Sequence, residues 1–292
     1  MKSFKLLIKR IYQSFDLFEI FLPIINSFIG LGIVNLTSSI ENWYQFIQFF
    51  LFLLFINFGS QLLHIYINST ANLMLDSKRS EYSRILNLLI LFFFGISILP
   101  LTRVLLGQSK NYFTINLIAI ATVTSLLWRD IDKIVKFSGL GILSNSILNG
   151  SIIPMTIISL YGIEINKLIL AFSQSSFFIL IGSLLIRDVN FEENMKKKVS
   201  YIELIGSIPA LKIAFTSITV GVLLLIINFI SKTENGKFHP SLFTLPLIMW
   251  MFTTLSIIDK KRKFGLRILN QQSLGLLFIY YLGWGFYLWV IN

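Results

Sequence analysis

The stretch LLIRDVNFEENMKKK, Leu184 to Lys198, joins a long apolar segment to a burst of charge. Asp188 and Glu192 stand four apart, so on a continuing helix they share one face. Lys196, Lys197 and Lys198 follow directly. Two carboxylates beside a cationic cluster, at the mouth of a membrane helix, can hold a magnesium ion against a phosphorylated ligand. Magnesium takes oxygen ligands and usually only one or two carboxylates, with phosphate and water completing its shell. The same residues also read as a solvated loop capping a membrane helix, and this stretch alone leaves the two readings even.

Outward from it the chain is apolar throughout. It is 55% hydrophobic and 13% charged, with a mean hydropathy of +0.76. The apolar residues fall in long runs, the pattern of an integral membrane protein rather than a soluble domain. With no cysteine in the sequence, a disulfide framework, a thiolate metal site and a thiolate nucleophile are all excluded. The net charge of +11 would suggest nucleic acid in a soluble protein, but its placement along the chain argues for topology instead. No Ser–His–Asp arrangement, phosphate-binding glycine loop or zinc spacing is present.

Residues 1–15 read as an amphipathic helix on the membrane surface. Phe4, Leu7, Ile8, Ile11 and Phe15 follow helical spacing, with Lys2, Lys5, Lys9 and Arg10 on the other face. Residues 16–292 read as a single domain of nine apolar segments near the length that crosses a bilayer. They fall at about 17–38, 45–68, 85–106, 112–128, 137–161, 165–186, 208–230, 241–258 and 272–291. One set of connections carries Lys78, Arg79 and Arg84; Arg129, Lys133 and Lys136; Arg187 and Lys196 to Lys198; and Lys260 to Lys263. The opposite set carries only Arg103, Lys110, Lys167, Lys232 and Lys237. The basic side is expected to be cytoplasmic, with the N-terminus inside and Asn292 outside.

The second segment ends HIYINSTANLMLDSKR, and in it His64, Asn68, Asn72 and Asp76 recur every four residues. On a helix they form one slowly drifting polar stripe. Polar groups at membrane depth are costly and face other helices or a cavity. Interhelical hydrogen bonding by Asn and His is the alternative reading. Asn145 and Asn149, four apart on the fifth segment, read either as residues that bind an acceptor or, in preference, as residues that pair helices, and the Ser173 to Ser176 run and Thr216 with Thr219 read as packing residues.

Together these features resemble the UbiA superfamily of intramembrane prenyltransferases. That family folds as an all-α bundle of nine transmembrane helices around a central cavity open to the cytoplasm. It carries two aspartate-rich motifs at the cytoplasmic ends of helices 2 and 6. The first, NDxxDxxxD, falls in register on Asn68 to Asp76; Ser69 and Asn72 stand where the family has acids. The second, DxxxD, falls on Asp188 and Glu192, followed by Lys196 to Lys198 and by Gly206 near the start of helix 7. Trp128 stands eight residues before Lys136, the spacing at which the family carries an aromatic residue and a lysine.

The resemblance implies magnesium-dependent transfer of a prenyl group from a prenyl diphosphate to a hydrophobic or aromatic acceptor, as in quinone synthesis. It implies catalytic Asp76, Asp188 and Glu192, and metal ligands Asn68, Asn72, Asp76, Asp188 and Glu192. Arg79, Lys136 and Lys197 would then clamp the diphosphate. The expected setting is the inner membrane of a bacterium, with no nucleic-acid partner. A cyclase or lyase acting on the same diphosphate, an inactive lipid-binding relative and a membrane transporter stand as alternatives.

Overall fold

The computed structural model describes residues 17–37, 43–72, 79–108, 111–131, 139–164, 167–192 and 205–230. Among them the chain is helical, with no strand. The long apolar runs give helices α1 (Leu17–Thr37), α2 (Trp43–Asn72), α3 (Arg79–Gly107), α4 (Tyr112–Leu127), α5 (Leu140–Leu160), α6 (Lys167–Glu192) and α7 (Ser207–Ile230). These follow the first seven expected segments within a few residues. The surface helix expected over 1–15 and the segments at 241–258 and 272–291 lie outside the described residues, as does any test of nine helices.

Five of the seven are long and apolar enough to cross a membrane: α2, α3, α5, α6 and α7. α1 runs Leu17–Thr37 and α4 Tyr112–Leu127, each within a residue of the segment expected there. A 16-residue helix such as α4 reaches only about 24 Å, against the ~30 Å of a hydrocarbon core. Its ends are fixed locally. Asn111 caps the start by accepting from the Thr114 N–H, and the chain turns over at Trp128–Asp130.

Packing runs in two blocks joined through α5. α3 lies along α2, and α7 along α6, while α1 and α4 pack on both α2 and α5. α3 turns most of its surface outward, with 22% of its apolar window buried, and leaves Leu88, Leu91, Leu99 and Leu106 exposed. In a membrane such a face meets lipid tails at no hydrophobic cost. The buried core is Phe49, Phe52 and Leu53 of α2, Ile153, Ile157 and Ile158 of α5, Ile179 and Leu180 of α6, and Ala214 and Ile218 of α7.

α5 is not a uniform helix. Its middle, Leu148–Ile152, is a π turn. The cause lies two residues on. Pro154 has no N–H to give the Gly150 carbonyl, and its ring crowds that carbonyl. The preceding turn widens instead, and the Ile153 N–H reaches back five residues to the Leu148 carbonyl. Side chains patch the carbonyls around it: Thr156 Oγ1 donates to the Ile152 carbonyl at 2.7 Å and Asn149 Nδ2 to the Asn145 carbonyl at 3.2 Å. Helices α1, α4 and α6 all meet at this turn.

Hydrogen bonds fix which helix ends lie together. At one end Gln108 Nε2 donates both to Gln45 Oε1 and to the Leu160 carbonyl, each at 3.0 Å. At the other end, beyond Ser60, α2 meets the turn that follows α4. α6 begins a few residues after α5 ends, so its C-terminus, with Asp188 and Glu192, returns to that second end. This is the end of the basic connections.

Candidate functional site

The best-built polar cluster sits where α2 meets the turn after α4. Ser60 and His64 are four apart on α2 and share a face. Their partners are consecutive. Arg129 Nη1 donates to Ser60 Oγ at 2.8 Å, and His64 Nδ1 lies 3.0 Å from Asp130 Oδ1. Trp128, buried at 6% exposure, anchors the turn, and the Arg129 guanidinium lies 4.4 Å above its ring. That stacking suits a planar, weakly hydrated cation. The Asp130 backbone N–H returns to the Leu127 carbonyl at 3.0 Å and holds the turn closed.

Among the described side chains Asp130 is the buried carboxylate. A charge removed from water must be paired and hydrogen-bonded, and here it is held against the ring nitrogen of His64. The carboxylate on Nδ1 orients the imidazole ring. The His64 side chain keeps 27% exposure. The cluster therefore combines a cation, a carboxylate-oriented imidazole and an aromatic face, the parts needed to hold an anion and move a proton.

The expected site residues continue from this cluster. Asn68 and Asn72 lie one and two turns beyond His64 on the same helix, and α2 runs to Asn72. Asp188 and Glu192 fall in the last turns of α6, which continues through Glu192, so their spacing of four is helical. The side chains of Asn68, Asn72, Arg79, Asp188 and Glu192 lie outside the described residues, and so do Asp76, Lys136 and Lys197 altogether. α2 packs chiefly on α3 and α1, and α6 on α7 and α5, so the two motif helices belong to different blocks. Gly206, at φ 84°, immediately precedes α7 and takes a backbone conformation that glycine alone adopts without strain.

No three His, Asp or Glu side chains gather among the described residues. His64 and Asp130 engage each other and, with neutral and cationic neighbours, do not form a magnesium site. The carboxylates expected to ligate magnesium are those outside the described side chains.

Asp130 and the role of Arg129 are not apparent from the sequence spacing. Their signal is the run Trp128-Arg129-Asp130, a base and an acid side by side at the end of an apolar segment. Among the described residues Asn149 Nδ2 bonds to Asn145 within α5. The packing role expected for the serine run holds at Ser175, whose Oγ donates to the Gly221 carbonyl of α7 at 2.6 Å. Thr216 is exposed, and its Oγ1 donates to the Lys212 carbonyl of its own helix at 2.9 Å.

At the opposite end an open groove of about 430 Å³ is lined by Asn111, Phe113, Ser159, Gly162, Ile163 and Glu164. Beside it, burial pushes the Tyr161 hydroxyl from 10.0 up to about 12. Glu164 is exposed, and the groove lining holds no second titratable group to act with it.

No protein-family model matches this chain, and neither does any curated protein or solved structure.

Proposed function

We propose that this protein is an intramembrane enzyme that transfers a prenyl group from a prenyl diphosphate to a hydrophobic acceptor. The observation that carries the reading is the His64–Asp130 and Arg129–Ser60 cluster. It lies one turn below Asn68, at the end of the bundle to which α6 returns with Asp188 and Glu192. The reaction needs an anion held, charge on the leaving oxygens stabilised, and a proton removed from the acceptor as the new bond forms. Arg129 is a fixed cation and His64 an oriented base for the first and last of these. Asn68, Asn72, Asp76, Asp188 and Glu192 are the residues to hold magnesium, with Arg79, Lys136 and Lys197 on the phosphates. Magnesium bound there would neutralise charge developing on the diphosphate.

On this reading the basic end faces the cytoplasm of a bacterium, and the two segments beyond Ile230 complete nine helices around a cavity. The purified protein, incubated with magnesium, labelled prenyl diphosphates and a lipid extract, should consume a diphosphate and yield a prenylated product by mass spectrometry. Asp188→Asn should remove that turnover while leaving the thermal unfolding midpoint unchanged. A folded protein that consumes no prenyl diphosphate of any chain length would sink the reading.

One observation favours a second reading. Transporters place ligand sites at interrupted helices, and α5 is interrupted mid-span by its π turn. Uptake of a substrate into vesicles with no diphosphate consumed would favour transport.

A further inference from the structure

The end of the bundle away from the basic connections carries an open groove of about 430 Å³. The start of α4 forms one wall with Asn111 and Phe113, and the end of α5 and the turn after it form the other with Ser159, Gly162, Ile163 and Glu164. The volume is in the range of small-ligand sites. Both walls are fixed by bonds of their own. Thr114 Oγ1, next to Phe113, is hydrogen-bonded to Ser159 Oγ. Gln108 Nε2, just before α4, donates to the Leu160 carbonyl at 3.0 Å. The Gly162 N–H returns to the Ser159 carbonyl at 3.0 Å, and Gly162 takes a φ of 70°, which glycine alone adopts without strain. Walls held in this way keep the groove shaped in the absence of a ligand.

Its charge is one-sided. Glu164 is exposed and forms no ion pair among the described residues. No described Lys, Arg or His joins it in the lining. The helix ends do not offset it, because the positive start of α4 and the negative end of α5 meet here and oppose each other. Asn111 moreover already caps the start of α4 through the Thr114 N–H. What remains is one carboxylate in a groove shared with the 54%-exposed ring of Phe113. A carboxylate and an aromatic face both attract a cation.

The position selects what carries that cation. Trp43 and Tyr44 at the start of α2, and Tyr112 and Phe113 at the start of α4, are each at least 45% exposed. The Gln45–Gln108 bond draws these two helix starts together. Exposed Trp and Tyr rings gathered at helix ends mark the boundary between lipid and water. A groove at that level, acidic at one point and apolar at Phe113 and Ile163, is bathed in lipid head groups.

We propose that this groove binds a phospholipid through its ammonium head, of the phosphatidylethanolamine type, with the ammonium on Glu164 and the acyl chains running down the apolar surface beside it. The site is independent of the prenyl-transfer reading, whose residues belong to the other end of the bundle. A primary ammonium donates hydrogen bonds to a carboxylate, whereas a trimethylammonium has no N–H to give.

That difference supplies the test. The full-length protein in maltoside micelles is titrated with dioleoyl phosphatidylethanolamine or dioleoyl phosphatidylcholine, and bound lipid is counted by native mass spectrometry. The two lipids share a phosphate and a net charge, so lipid held at the basic end cancels in the ratio of their affinities. The parent should prefer the ethanolamine lipid about fivefold. Glu164→Gln changes an exposed side chain and should bring the ratio to about one. Phe113→Leu should weaken the ethanolamine lipid about threefold. O-phosphoethanolamine, the head without chains, should fail to displace the lipid at equal concentration. A ratio of one in the parent, or a ratio untouched by Glu164→Gln, would overturn the proposal. Displacement by O-phosphoethanolamine would overturn it too, by assigning the groove to a soluble amine.

Discussion

The two faces of α6 are built from the same small residues and differ in how fully their polar groups are met. Toward α7, Ser175 Oγ donates to the Gly221 carbonyl, and Gly182 and Gly221 let the backbones approach until no Cβ fits between them. Toward α5 the approach is as close, a Cβ on Gly150 lying 2.6 Å from the Phe177 backbone nitrogen. There Ser173 and Ser176, two residues before and one after Ser175, keep hydroxyls with no partner among the described residues, against a π turn whose Asn149 carbonyl oxygen is likewise unmet. Without a hydrophobic force between helices in lipid, association rests on close packing and hydrogen bonds. The α6–α7 seam has both and is a structural joint. The α5–α6 face is packed as closely but forgoes part of its hydrogen bonding, so the two faces should answer differently to the loss of a hydroxyl.

The seam should therefore be the most fragile place to add volume. A Cβ at Gly182 would come within 2.5 Å of the Ala214 carbonyl oxygen and of Ile218 Cγ1. Backbone cannot yield as a flexible side chain does, so Gly182→Leu should cost about 3 kcal/mol or prevent folding. A Cβ at Gly95 of α3 meets nothing within 4 Å, and Gly95→Leu should leave stability within about 0.5 kcal/mol of the parent. Thermal unfolding in micelles compares the two; equal effects would mean that α6 and α7 are not joined as described.

Next in size is the charged cluster, where polar groups are buried because they are paired. Asp130→Ala removes the carboxylate from His64 and from the turn that carries Arg129, and should cost about 2 kcal/mol. Asp130→Asn keeps an oxygen for His64 and should cost less than half as much. If both substitutions are silent, the cluster carries no buried charge and the carboxylate is solvated.

The sequence makes the helices legible because a bilayer fixes their length and polar connections mark their ends. That logic places α2, α3, α5, α6 and α7 within a few residues. It places α1 and α4 as closely, each within a residue of the expected segment. The π turn was not legible, because hydrophobic periodicity is too coarse to register one extra residue in a turn; Pro154 after Asn149-Gly150 is its mark. The stripe His64, Asn68, Asn72 correctly places three residues on one continuous helix. The partner of His64 was hidden because it lies 66 residues away, on a turn with no periodicity of its own. Spacing along one helix can be read from a sequence, whereas a contact between helices depends on how they pack.

Returning to α6, Ser175→Ala deletes one buried interhelical hydrogen bond to the Gly221 carbonyl. Within membranes such bonds are worth about 0.6 kcal/mol on average, and the carbonyl left behind still serves its own helix. A loss of about 0.5–1 kcal/mol in unfolding free energy is expected. A larger loss would show that Ser175 sets the helix crossing itself.

The smallest effect on stability is the sharpest test of the comparison. Ser176 is as buried as Ser175, each at 0% exposure, and a volume-based account gives Ser176→Ala and Ser175→Ala the same small cost. The hydrogen-bond account does not. The Ser176 hydroxyl has no partner among the described residues, so the native chain already bears its desolvation, and removing it should leave the protein unchanged or up to about 0.5 kcal/mol more stable. Unfolding of the parent, Ser175→Ala and Ser176→Ala in micelles should therefore give a small loss for Ser175→Ala and none, or a small gain, for Ser176→Ala. Equal losses for both variants would mean that the Ser176 hydroxyl is bonded as Ser175 is, and that the two faces of α6 do not differ.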